Sequence, residues 1–255
     1  MLREPLVKNN LGAREGFRWR GDEISRVEAL SDAVFGFAIT LLVVSLEVPQ
    51  TFDELLGMMR GFIPFAISAA MLFLVWYQHY IFFRRYGLED TPTVLLNAVL
   101  LFVVLFYVYP LKFLWTFLTR VVTGGGMTVT LPNGERVPVI TAEQTPAMMI
   151  VFGLGYVAVF GVFVVLYLHA YRKRHELQLN AVEVFDTRTE LQSMLCNVGI
   201  GLLSIGIAAS GIRGAAPLAG WSYALIGVVL SVHGVIRGKM RKKLEQPATV
   251  NADAV

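Results

Sequence analysis

The stretch QTPAMMIVFGLGYVAVFGVFVVLYLHAY, Gln144–Tyr171, runs for 28 residues without an Asp, Glu, Lys or Arg. A helix needs about 20 mostly apolar residues to cross a bilayer, so this segment is long enough to span one. Working outward, Leu191–Ile212 (22 residues) and Gly214–Ile236 (23) follow it, and Gly61–Phe83 (23) and Thr91–Leu111 (21) precede it, all free of charge. The composition of the 255-residue chain agrees: 55% is hydrophobic, mean hydropathy is +0.59 and only 16% is charged, against about 25% in soluble domains. Disordered chains are polar and charge-rich, so disorder is excluded. The single Cys excludes a disulfide scaffold and a Cys-rich metal site.

A sixth apolar segment is different. Ala33–Leu46 (AVFGFAITLLVVSL) has 14 uncharged residues between Asp32 and Glu47. At helical rise it covers about 21 Å, short of a ~30 Å hydrocarbon core. It spans only if its helix carries the flanking charges into the membrane margins. The first 26 residues are polar and Arg-rich, without the apolar core of a signal peptide.

Charge placement supplies the topology. With six spans and the N-terminus in the cytoplasm, 17 of the 22 Lys and Arg residues fall on the cytoplasmic side and 5 outside. That asymmetry predicts both termini inside, and it accounts for a pI near 9.0 at a net charge of only +3 without invoking nucleic acid. The chain is therefore expected to be an all-α integral membrane protein of six transmembrane helices, multi-pass in the plasma (cell inner) membrane. The expected parts are a cytoplasmic arm (1–25), a transmembrane domain (26–241) with spans about 26–48, 54–84, 91–119, 144–171, 190–212 and 214–237, and a cytoplasmic tail (242–255). Residues 1–25 and 244–255 read as mobile ends. The stretch Arg172–Glu190 reads as helical. Val-Thr-Leu before Pro132-Asn133-Gly134 and Arg-Val-Pro-Val after it predict a small exterior hairpin.

Most chemical motifs fail. Thr123–Gly126 (TGGG) lacks the Lys-Ser/Thr of a phosphate cradle. Gly153-Leu154-Gly155-Tyr156 lacks the Thr-Val-Gly-Tyr-Gly order of a carbonyl-lined filter; there, and at Gly199, Gly201 and Gly206, small residues are expected to ease helix contact. No catalytic constellation is present, none of the four His forms a metal-ligand spacing, and neither an enzyme nor a cofactor is expected.

Three features stand out. Arg26, Glu28 and Asp32 lie within two turns at the entrance to the shortest span, where ionisable groups are costly and usually have partners. Trp76 and His79 lie at the matching end of the second span, so a His79 N–H to Asp32 bond would satisfy both groups. Finally, Ala33, Phe37, Thr40, Leu41 and Val44 form one helical stripe, with Phe35, Ile39, Leu42 and Leu46 opposite. The spacing alone does not say which stripe faces water.

RVEALSD running into AVFGFAITLLVVSLEVP resembles the Arg-x-x-x-Phe-Ser-Asp signature of the transmembrane protein 175 family, endosomal and lysosomal potassium channels with bacterial relatives. Leu30 stands where the family carries Phe. Trp76-x-x-His79-x-x-Phe82-x-Arg84, Asn97 and Pro110 agree in order, and the resemblance is strongest over about residues 24–115. It implies a pore lined by the first helices of four six-span units, with rings of apolar side chains in place of a carbonyl filter. The animal protein carries two repeats and dimerises, so this chain is implied to form a homotetramer. Counted from the Ser-Asp pair, the narrowest ring falls at Phe37, further apolar rings at Leu41 and Val44, and the polar ring linked to potassium preference at Thr40. Glu47 would ring the outer mouth, and Arg26, Ser31, Asp32, Trp76 and His79 would hold the pore helix in place. The implied function is passive, potassium-preferring cation conduction, with membrane lipid and monovalent cations as the only other partners. A secondary transporter or a proton leak in the same scaffold is the alternative. A transporter would call for charges near the midplane and an inverted repeat, and neither is visible.

Overall fold

A computed structural model describes residues 17–21, 23–44, 50–131, 133–212 and 214–245. In chain order these hold α1 (Arg26–Val44), α2 (Phe52–Arg60), α3 (Phe62–Tyr86), α4 (Thr91–Thr123), β1 (Thr128–Thr130), β2 (Arg136–Pro138), α5 (Thr145–Arg172), α6 (Ala181–Ala209), α7 (Ala215–Ser222) and α8 (Ala224–Glu245). The described residues are helical apart from the hairpin, which pairs Thr128 with Pro138 and Thr130 with Arg136, antiparallel, with Asn133 and Gly134 between the strands as expected.

Among the described residues, five stretches are long and apolar enough to cross a bilayer: α3, α4, α5, α6, and Ala215–Leu244, which takes in α7 and most of α8. α1 is not among them. Its 19 residues carry Arg26, Glu28 and Asp32 in the first two turns. Large apolar side chains face outward along the spans, among them Leu74, Phe102, Phe106, Leu154, Leu202 and Val228. Apolar surface on this scale is tolerated in lipid and not in water. The chain is a multi-pass membrane protein.

Several element ends differ from expectation for visible reasons. The span expected over 54–84 is two helices meeting at Gly61: a Thr51/Glu54 capping box starts amphipathic α2, and Pro64, which has no N–H, interrupts the helical ladder at the junction. α4 runs on to Thr123, where Gly124 adopts a left-handed conformation (φ 66°) and stops it. Residues 172–190 are helical only in part: α5 ends at Arg172, the chain turns through Gln178 (φ 48°), and the Asn180/Glu183 capping box starts α6 at Ala181, so 181–190 are helical as expected and 173–180 are not. The last span pauses at Tyr223 and continues to Glu245, into the expected tail.

α1 packs on α3 and α4, α5 packs on α4 and most extensively on α6, and α7 and α8 pack on α6. The shared core is aromatic, with Phe82, Phe83, Tyr86, Phe163 and Tyr167 all buried. Phe82 and Tyr167 meet edge to face at 5.3 Å, the arrangement that ring quadrupoles favour. A Cβ at Gly155 would lie 2.1 Å from the Tyr107 ring, so only glycine lets α4 and α5 approach this closely. Gly153 and Gly201 make similar contacts. Gly199 and Gly206 do not, having nothing within 4 Å, so small residues ease helix contact at only some of the expected positions.

Candidate functional site

α1 begins with a capping box that the sequence reading passed over. The Glu28 N–H donates to Ser25 Oγ at 3.1 Å, and the Ser25 N–H donates to the Glu28 carboxylate at 2.9 Å. Glu28 is buried by this role and is not a free member of a charged cluster. The signal was present as Ser-x-x-Glu.

The helix has two faces. Ser31, Phe35, Ala38 and Leu42 are buried against the chain's own α3 and α4. Phe37 is 57% exposed, with Gly36, Thr40 and Val43 exposed beside it. Thr40 donates its hydroxyl proton to the Phe37 carbonyl at 2.7 Å, which leaves the lone pairs of its oxygen free to face outward. Leu41 is half-buried against the core and Ile39 likewise, so Leu41 sits at the edge of the exposed stripe. The Val44 side chain and Glu47 lie outside the described residues. Toward the far end of α1, Lys112 Nζ donates to the Leu42 carbonyl at 2.6 Å, tying α1 to α4.

At the start of α1 the polar groups sort into two sets. His79 Nε2 lies 2.8 Å from Asn97 Oδ1, Asn97 Nδ2 donates to Ser31 Oγ at 2.9 Å, and Ser31 Oγ donates to the Val27 carbonyl at 2.7 Å. An amide oxygen only accepts, so the proton is on His79 Nε2 and the chain runs in one direction. All three side chains are buried, with the His79 ring against Phe83 at 4.5 Å. Asp32 is exposed and accepts from Trp76 Nε1 at 2.7 Å. The expected His79–Asp32 bond is therefore not made. Neighbouring residues on a helix point about 100° apart, so with Ser31 in the α3/α4 seam, Asp32 is left at the rim, where Trp76 reaches it. Arg26 is exposed and has no ion pair among the described residues, so it does not join the cluster. Asn97 joins His79 to Ser31; in the sequence it stood out only through the family resemblance.

A second cluster braces the same end of the bundle. Asp90, in the turn between α3 and α4, accepts from His169 Nε2 at 2.7 Å and Lys173 Nζ at 3.2 Å, and from Thr93. Burial pushes the Asp90 carboxyl up, but these three donors outweigh it and hold the group well below its ordinary value of 3.8. A carboxyl depressed in the folded state contributes stability that is complete above its unfolded value and is lost as pH falls toward the folded one. Asp90→Asn should accordingly lower the unfolding midpoint near neutral pH, and the gap to wild type should close only below about pH 4, as thermal unfolding at stepped pH would register. No group of three or more His, Cys, Asp or Glu that could hold a metal occurs among the described residues.

Residues 26–107 match the family described as endosomal/lysosomal potassium channel TMEM175. A Marivirga tractuosa protein named a potassium channel is 41% identical over 239 residues, which is 92% of this chain and 96% of that one. The chain belongs to the TMEM175 family. That family is one of channels, not enzymes. A second relative, a potassium channel of Chamaesiphon minutus, is 33% identical over 104 residues, covering 38% of this chain and 51% of its own. Among solved structures, a variant of the potassium channel MtTMEM175 in complex with a nanobody–MBP fusion superposes with a TM-score of 0.77 at 41% identity, covering 89% of this TMEM175 chain and 98% of that one. A lysosomal potassium-selective channel TMEM175 homolog from Chamaesiphon minutus superposes with a TM-score of 0.50 at 22% identity, covering 83% of this chain and 96% of that one, a likeness of fold alone. The family match runs from the start of α1 into α4, the part of the molecule that holds the Ser31–Asn97–His79 chain and the exposed face of α1.

Proposed function

We propose that the chain is a passive, potassium-preferring cation channel of the plasma membrane (a bacterial inner membrane), formed by four copies whose α1 helices line a central pore. Each copy then crosses the membrane six times, α1 included, with both termini cytoplasmic and the β1–β2 hairpin outside. One observation carries the reading: α1 buries Ser31, Phe35, Ala38 and Leu42 within its own chain and leaves Phe37 and Thr40 uncovered on the opposite face. A membrane helix needs a reason to present a Thr and a Gly beside a Phe, and a shared axis supplies one.

The physics follows from ring closure. Four Phe37 side chains around an axis close an apolar ring that sheds water, which acts as a gate. Thr40 lies one turn further along, and its outward oxygens replace part of the shell a cation loses at the ring. Few oxygens are offered, so discrimination between potassium and sodium is modest compared with a carbonyl cage. Leu41, at the stripe edge, and Val44 add apolar rings, and Glu47 would concentrate cations at the outer mouth. The Ser31–Asn97–His79 chain and the Trp76–Asp32 bond anchor α1 against α3 and α4 and so set the radius of the ring at rest.

One α1 encloses nothing, so the mass of the protein in nanodiscs should correspond to four copies. A stable monomer or trimer contradicts the reading. Thr40→Ala removes oxygens but little bulk, so it should leave conductance within about twofold while lowering potassium-over-sodium preference several-fold, as bi-ionic reversal potentials would show.

A further inference from the structure

Residues 17–21 were expected to belong to a mobile arm, yet they are strapped to the bundle on two sides. Phe17 is 1% exposed and meets Tyr86 edge-on at 5.7 Å, with the Arg85 guanidinium over its ring at 5.1 Å. The N–H groups of Arg20 and Gly21 both donate to the Arg84 carbonyl, at 3.0 and 3.2 Å. That carbonyl is in the last turn of α3, where the helix itself supplies no partner. Arg84 Nη1 returns a bond to the Gly21 carbonyl at 2.7 Å. The approach is close enough that a Cβ at Gly21 would lie 2.9 Å from the Phe83 oxygen.

On the other side the strap is held by one carboxylate. Glu183, in the first turn of α6, is fully buried and accepts from the Arg18 N–H at 3.0 Å, Arg20 Nη2 at 2.7 Å and Arg20 Nη1 at 3.3 Å. Arg20 Nε also reaches the Leu177 carbonyl at 2.9 Å. α1 starts five positions after Gly21 and packs on α3 and α4. The strap is thus a direct link from the start of α6 to the start of α1.

We propose that Glu183 is a positioning residue for gating: through residues 17–21 it fixes the base of α1 and biases the pore toward its closed state. The inference rests on the reading of α1 as the pore helix. Opening a ring at Phe37 requires α1 to shift or rotate, and a base clamped by charge-assisted bonds in a buried setting resists that motion. Among the described residues the clamp touches no pore-facing side chain, so it acts on how often the pore opens and not on what passes.

Glu183→Gln is the informative variant. Gln at this position still closes the α6 capping box with Asn180, so the helix start is retained while the charge is lost. In the full-length protein in nanodiscs, hydrogen exchange at Arg20 and Gly21 should accelerate about tenfold or more, and open probability should rise about tenfold, the scale of one charge-assisted bond. Unitary conductance and potassium preference should stay unchanged. Spin labels at Ala29→Cys, in a Cys196→Ser background, should report a longer or broader distance between copies. Arg20→Gln should reproduce all of this, and it stands in if Glu183→Gln fails to assemble; Arg18→Gln should do less, its side chain being 56% exposed. Faster exchange with unchanged label distances and open probability would overturn the inference, as would unchanged exchange. A wild-type protein that carries no current would instead refute the channel reading by itself, and the label distances would still decide whether Glu183 positions α1.

Discussion

Phe37→Ala should raise cation flux at least about tenfold, the factor that removing some 1.4 kcal/mol of barrier gives. Potassium-over-sodium preference should fall at the same time. Phe37 is the largest side chain on the uncovered face of α1, and it is flanked there by Gly36 and Ala33, which are too small to close a ring. Removing four phenyl rings would widen and wet the constriction, so ions would pass with more of their hydration shell and with less reason to be told apart. Ile39 lies on the packed side, half-buried against the core. Ile39→Ala should lower stability and leave selectivity alone. Should Phe37→Ala change neither flux nor preference while Ile39→Ala changes both, the pore lies on the other face of the helix. Flux assays on liposomes containing each variant decide between the two.

Asn97→Ala should be the most destabilising single change in the anchor of α1. Asn97 is 2% exposed, and its loss strands the buried His79 ring N–H, while the Ser31 hydroxyl keeps its own bond to the Val27 carbonyl and loses only the N–H it accepts. A stranded buried polar group costs about 1–3 kcal/mol, and the loss should fall in that range. It would be read as a lower unfolding midpoint and poorer survival of the oligomer in detergent. Much of that cost comes from the orphaned partner, so adding His79→Phe should restore part of it. Asp32→Ala should cost less, because Asp32 is exposed and its one bond, from Trp76, is at the rim. Equal stability of Asn97→Ala and wild type would mean that the Ser31–Asn97–His79 chain does not hold α1.

The membrane-spanning character was legible because it depends on long runs of one residue class, and such runs survive any error in helix phase. Gln144–Tyr171 became α5 almost to the residue. Helix ends were less legible where a short-range cap competes with hydropathy. The stretch 172–190 reads as helix throughout, but the Asn180/Glu183 capping box starts α6 at Ala181 and leaves 173–180 outside any helix. The same blind spot hid the Ser25/Glu28 box at the start of α1. At the anchor, sequence spacing brought Ser31, Asp32, Trp76 and His79 to one end of the bundle but could not divide them. The division depends on which of two adjacent residues, Ser31 or Asp32, turns into the seam, and a carboxylate turned inward there would have needed a partner charge that Arg26 does not supply. The strap at Phe17–Gly21 was invisible because five residues with three charges or glycines look like an exposed arm unless their partners, Arg84 and Glu183, are already in place.

Reversal potentials of the purified protein in liposomes under opposed potassium, sodium and proton gradients decide whether it conducts potassium passively. A passive, potassium-preferring pore gives a current that reverses on the potassium side of the midpoint between the potassium and sodium equilibrium potentials, does not saturate as a carrier would, and moves toward no preference in Phe37→Ala. A saturating flux with fixed coupling between two ions, or a reversal that follows the proton gradient alone, would contradict it.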